Sequence, residues 1–239
     1  MDTNETNKYF LPAAVILAGL FIGGAVMWSN SHPSATPSGT DTTPTVDIKN
    51  VKTDGDPFIG DANAPITIAF WSDFQCPYCR AVEVGGIPQI TIPAALPDII
   101  ENYVNTGKVK IVFMDFTFLG NDSVIGGAYS QSIWKLYPDK YFEWRTAMYS
   151  SQDEEGDEGF GDAESIDALN ATISGIDAAK VSADVKANMS TYQAMMDSDK
   201  AEATKVGINA TPSFLIGTQV IAGAYPYETF QTAIDALLK

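Results

Sequence analysis

"FWSDFQCPYCR", Phe70 to Arg80, holds both cysteines of the 239-residue chain, Cys76 and Cys79, with two residues between them. The run "ITIAFW", Ile66–Trp71, is β-branched, aromatic and uncharged, the composition of a strand buried on both faces. Pro77 suits the first turn of a helix, where its missing N–H is not needed. The stretch therefore reads as a central strand running into a helix that has Cys76 at its N-terminus. A thiolate there is stabilised by free N–H groups, so Cys76 is expected to be the low-pKa, exposed sulfur. Cys79 lies about one turn further in, near enough to close a small ring with Cys76 and shielded from large partners.

Working outward, Gly85-Gly86, Pro88, Pro93 and Pro97 interrupt the following segment, so the helix is expected to break or bend before "DIIENYV". "KVKIVFM", Lys108–Met114, reads as a second buried strand. Strand signals vanish from Asp122 to about Val206, where Trp134, Tyr137, Tyr141 and Trp144, then Ile166, Leu169 and Ile173, fall at helical spacing. "SFLIG", "QVIAGA" and "YETFQTAIDALL" read as strand, strand and amphipathic helix. The order implies an α/β arrangement around a small mixed sheet, with a helical insertion.

Four chemistries compete for the cysteine pair. A zinc site needs about four ligands, and His32 is the single histidine, far from the pair in a Ser/Thr/Pro-rich segment. A copper(I) site could use two thiolates and a methionine. An inert local disulfide is the third, although bridging so short a loop constrains little of the unfolded chain. A working dithiol, alternating between thiol and disulfide, is the reading the spacing favours. Thr211-Pro212, in "NATPSFLIG", stands directly before an apparent strand, a place where an X-Pro bond can be cis.

Together "FWSDFQCPYCR", "GINATPSFLIG" and "QVIAGAYPYETFQTAIDALL" resemble the DsbA-like branch of the thioredoxin superfamily, specifically its membrane-anchored or exported thiol–disulfide oxidoreductases. The resemblance runs from about Phe58 to the C-terminus and implies a thioredoxin-like fold carrying a helical insertion. It further implies Cys76 as the nucleophilic sulfur, Cys79 as the resolving sulfur and Pro212 as a cis-proline beside them. Thr211 would offer backbone hydrogen bonds to an extended client, and Pro77 and Tyr78 would modulate the pair. No cofactor is implied beyond the redox-active Cys76–Cys79 disulfide. The implied partners are cysteine-containing exported proteins and a membrane redox partner that regenerates the disulfide. Two departures stand out. Phe70 occupies the position six before the first cysteine, where relatives often carry an acid, which leaves Asp73 to weigh as a proton relay against a plain solvated loop carboxylate. Gly85–Ala94 looks like an insertion, either a client-binding edge or an elaborated surface loop.

"FLPAAVILAGLFIGGAVMW", Phe10–Trp28, is nineteen residues without charge, long enough to span a bilayer. Residues 1–8 then read as a cytoplasmic N-terminus, 9–28 as a transmembrane anchor or signal segment, 29–46 as a flexible linker and 47–239 as the body, with the insertion at about 122–206. That puts a single-pass protein in the cell membrane with its catalytic domain on the extracytoplasmic side. Thirty acidic against fourteen basic residues give a formal charge of −16, which excludes nucleic acid as a partner. "SQDEEGDEGFGDAE", Ser151–Glu164, partly imitates a calcium loop through Asp153, Glu155, Asp157 and Glu164, but Glu158 replaces its glycine. The expected function is a dithiol oxidase introducing disulfides into exported proteins. The alternatives are a reductase or isomerase of the same fold, or a non-catalytic copper(I)-binding or client-holding module.

Overall fold

Ile66–Ser72 (β2) is the expected strand, and all of its residues except Thr67 are buried. The computed structural model describes residues 46–153 and 159–239. The anchor and nearly all of the linker inferred from the sequence lie outside the described residues, as do Glu155 and Asp157 of the acidic loop. Val46, assigned by sequence to the linker, packs against one face of the sheet.

Val109–Asp115 (β3) runs parallel to β2, with Ile66 opposite Val109 and Phe70 opposite Phe113. Ser213–Ile216 (β4) pairs antiparallel on the other side of β2, and Gln219–Ala222 (β5) pairs with β4. Phe58–Ile59 (β1) adds an antiparallel edge on β3, giving the order β1-β3-β2-β4-β5. β2 is thus central, as its uncharged run requires. β1 was not foreseen, because two residues inside the turn-like "DPFIGDANAP" carry no alternation to read.

Pro77–Glu83 (α1) begins one residue after Cys76, and Gly85 and Gly86 follow it in the left-handed region at φ 69° and 79°. The expected break is there, but Pro97 is not part of it. It sits in the first turn of Ala95–Ile99 (α2), where a proline removes no intrahelical bond, and the chain continues as a π-helical turn through Val104. The insertion consists of Asn121–Leu136 (α3), Tyr141–Ser151 (α4), Ala163–Asn170 (α5) and Ala178–Lys205 (α6). Tyr227–Leu237 (α7) closes the fold.

Strand alternation divides the core. Phe70 lies on one face of the sheet with Ile68, Phe113 and Phe214, while Trp71 lies on the other with Ala69, Met114 and Leu215. Phe70 and Phe214, paired in register, stack with centroids 4.1 Å apart, and Phe230 of α7 meets Phe214 edge-on at 4.7 Å. Trp71 is anchored through Nε1, which donates to the Asp199 carbonyl of α6 at 2.9 Å. Both cysteines belong to the Phe70 side of the core.

Candidate active site

Cys76 caps α1 in extended geometry, and its own N–H donates to the Asp73 carbonyl at 3.1 Å. Its sulfur lies 3.6 Å from the Thr211 carbonyl. The Thr211–Pro212 peptide bond is cis, as the motif suggested, and the Pro212 carbonyl accepts from Gly223 N at 2.7 Å. Against expectation Cys76 is not exposed: only 4% of it is accessible, because the Thr211–Pro212 loop lies against it. Pro77 is half-buried and Tyr78 is 53% exposed.

The two thiols, both free, are unequal. The Cys76 pKa is lowered to about 7, chiefly by a hydrogen bond from the Cys79 thiol; burial opposes this, and the Thr211 hydroxyl and the N–H groups of Cys79 and Tyr78 assist it. Cys79 is fully buried, and burial pushes its thiol well above the ordinary range, with the proton it shares with Cys76 adding to the effect. The Thr211 hydroxyl is itself buried, with no conventional hydrogen-bond partner among the described residues, and lowers both thiols as a weak donor. A nucleophilic, easily displaced sulfur thus sits beside one that prefers to keep its proton.

Asp73 is not a solvated loop carboxylate. It is 1% exposed and accepts from Gln75 N at 2.9 Å, Phe118 N at 2.9 Å and Ser123 Oγ at 2.7 Å. Burial raises its pKa and these bonds pull it back. The carboxylate ties the loop before Cys76 to the start of α3, and its bonds run to that loop and helix rather than to a sulfur.

Sequence reasoning missed the buried ion pair below the site. Arg145 of α4 donates from Nε to Glu83 of α1 at 2.8 Å and from Nη2 to Ser72 Oγ at 2.7 Å. Its guanidinium is surrounded by the rings of Phe70, Phe74, Phe113 and Tyr149, closest to Phe113 at 4.2 Å. Burial lifts the Glu83 carboxyl, Arg145 draws it down, and Arg145 itself remains a cation held by Glu83. Phe70, at the position where an acid was looked for, instead forms one wall of this aromatic cage. No local spacing signals the pair, because its members are 62 residues apart.

Two further features flank the cysteines. Phe118 and Tyr225, 47% and 44% exposed, stand on loops bonded into the site, Phe118 N to Asp73 and Gly223, two residues before Tyr225, to Pro212, while the exposed Tyr78 sits in the first turn of α1. A groove of about 580 Å³ lies between α1, the Gly85–Ala94 loop and the end of α4. In the acidic loop, Asp153 accepts from Phe160 N at 2.6 Å and Glu164 stands in the first turn of α5 behind its cap Asp162. No cluster of three or more potential metal ligands occurs among the described residues.

A model of the thioredoxin family matches residues 52–236. Among curated proteins, the probable disulfide bond formation protein D of Bacillus anthracis is 28% identical over 182 residues, 76% of this chain and 77% of that protein. Disulfide bond formation protein D of Bacillus subtilis is 23% identical over 188 residues, 77% of this chain and 78% of that one. Among solved structures, oxidised BdbD from Bacillus subtilis superposes with a TM-score of 0.67 at 21% identity, covering 79% of this chain and 95% of the other. DsbA of Chlamydia trachomatis gives 0.66 at 17% identity, covering 78% and 93%.

Proposed function

The chain belongs to the thioredoxin family, and from that premise we propose that it is an extracytoplasmic thiol–disulfide oxidoreductase, a dithiol oxidase that passes its Cys76–Cys79 disulfide to exported proteins containing cysteines. The observation that carries this reading is the opposed tuning of the two thiols beside cis-Pro212, with Cys76 near 7 and Cys79 pushed high. The printed names of the relatives, disulfide bond formation proteins, support the same class.

In the reaction a client thiolate attacks the Cys76 sulfur, the Cys76–Cys79 bond breaks, and Cys79 leaves and takes up a proton. A second client thiolate then attacks the client sulfur of the mixed disulfide, and Cys76 departs as a thiolate. Two client thiols become one disulfide while the protein's disulfide becomes a dithiol. Its low pKa makes Cys76 a good leaving group in that last step. Cys79, buried and reluctant to ionise, holds the proton of the reduced state. The exposed rings of Tyr78, Phe118 and Tyr225 offer contact to an unfolded client, and Thr211 offers its backbone to an extended one. No group beyond the two sulfurs is needed, and a membrane partner that accepts two electrons restores the disulfide. The apolar segment 9–28 would keep the enzyme beside that partner, with the body outside.

The test is the equilibrium reduction potential of the full-length protein against glutathione. A value near or above about −180 mV, in the range of protein disulfide isomerase and stronger oxidants, supports the oxidase. A value near about −270 mV, like thioredoxin, would overturn that direction in favour of a reductase.

A further inference from the structure

The groove beside α1 is lined by Pro77, Arg80, Gly86, Ile87, Gln152 and Asp153, among others. Two of these residues hold polar atoms with no hydrogen-bond partner among the described residues: Arg80 Nε, a donor, and Gln152 Oε1, an acceptor. Gln152 is 4% exposed, and its orientation is fixed. Its amide nitrogen donates to the carbonyls of Phe74 at 2.6 Å and Cys76 at 3.2 Å, so turning the amide over would set its oxygen against two acceptors. Arg80 is held in turn by a bond from Nη1 to the Gln152 carbonyl. Native proteins leave few buried polar atoms unpaired, so a spare donor and a spare acceptor on adjoining walls mark a place that another molecule completes.

One donor and one acceptor are the complement of a peptide group, which offers one N–H and one C=O. Pro77 lines the groove and is bonded to Cys76, so a chain joined to the Cys76 sulfur enters it within a few residues at about 3.3 Å each. We propose that this groove is a second client subsite. It takes the extended backbone beside the client's reacting cysteine, with Arg80 Nε donating to a client carbonyl and Gln152 Oε1 accepting a client N–H. The inference rests on the oxidase reading and specifies its client as an extended segment recognised through its main chain, whatever its side chains. Both atoms are covered in the free protein, so occupancy requires the groove wall to shift and uncover them.

The test uses the oxidised full-length protein and single-cysteine peptides of alanine and glycine, from acetyl-cysteine amide up to four residues on either side. Two hydrogen bonds predict a gain of about 10-fold in the second-order rate constant for the side that reaches the groove. Methylating one backbone nitrogen on that side removes most of the gain. In Arg80→Met and in Gln152→Leu the ratio of long to minimal peptide falls toward 1, and a ratio taken within each variant cancels any general loss of activity. A wild-type protein that oxidises all lengths equally, or variants that keep the full ratio, overturns the subsite and leaves the oxidase standing. A protein that oxidises not even the minimal thiol overturns both.

Discussion

Cys76 and Cys79 share a helix and a chemistry, yet their protons are driven in opposite directions by what each sulfur touches. Cys76 receives hydrogen bonds from Cys79, Thr211 and the N–H groups of the first turn, whereas Cys79 sees mostly apolar packing. In the reduced protein the rate of alkylation at Cys76 should therefore rise with a midpoint near pH 7, while Cys79 stays unreactive across the neutral range; mass spectrometry of the modified peptides reads both. Because the folded Cys76 pKa lies below the ordinary thiol value of 9.0, its contribution to stability is complete above about pH 9 and is lost as pH falls through about 7. Thr211→Val removes one donor to the sulfur without changing the side chain's size, so the alkylation midpoint should move upward; a midpoint that stays put would show the hydroxyl to be a bystander. Cys76→Ser should abolish oxidation of dithiol peptides, and Cys79→Ala should accumulate the mixed disulfide, visible on a non-reducing gel.

Between elements, the joint that matters most is the one from α1 to α4. Arg145 crosses it, bonded to Glu83 and Ser72 inside an aromatic cage, and its 1% exposure leaves water no access to a broken pair. Arg145→Met should destabilise the fold by about 3–5 kcal/mol because it strands a buried carboxylate, and Glu83→Leu with Arg145→Met together should cost much less, since no uncompensated charge remains. Urea unfolding of the three proteins measures this, and a double variant as unstable as the single one would contradict it. The sequence could not show such a joint: Glu83 and Arg145 are 62 residues apart and meet only through packing. The same limit explains the misjudged exposure of Cys76, whose cover comes from Thr211, 135 positions away. What local composition determines was legible. β2 follows from a continuous apolar run, the break after α1 from two glycines, and the site from the C-x-x-C spacing together with Thr211-Pro212. Asp73 was read by its loop position and not by its three bonds, because two of the partners, Phe118 N and Ser123 Oγ, lie 45 and 50 residues away and only the fold brings them near.

At the scale of the whole molecule, the sheet meets the helical insertion across buried acid. Asp56 before β1, Asp115 at the end of β3 and Asp199 on α6 are all less than a tenth exposed, and Asp199 accepts from the Asp115 N–H at 2.8 Å. Burial is the first cause in each case, and it raises Asp115 to about 6, Asp56 to about 7 and Asp199 to about 9; repulsion from neighbouring acids adds to it, from Asp115 at Asp56, from Asp56 and Asp115 at Asp199 and from Asp73 at Asp115, while Lys52 partly relieves Asp56, and Gln131 and Arg145 partly relieve Asp115. An acid whose folded pKa is raised keeps a proton that the unfolded chain has already released. The stability it contributes is complete below the ordinary carboxylate value of 3.8 and is lost as pH climbs through its folded value. This protein should accordingly have a higher Tm near pH 5 than near pH 8, with the decline running through about 6, 7 and 9. Diffuse repulsion from a net charge of −16 acts in the same direction, but it is exposed and screened by salt. Added salt should therefore flatten only part of the slope. Asp199→Asn keeps the acceptor for Asp115 N and removes the titration, so it should raise Tm at pH 8 and shrink the difference between the two pH values. Thermal melts at both pH values, in low and high salt, decide the matter: a slope that salt erases completely, or that Asp199→Asn leaves intact, would assign the pH response to the surface instead of to this buried joint.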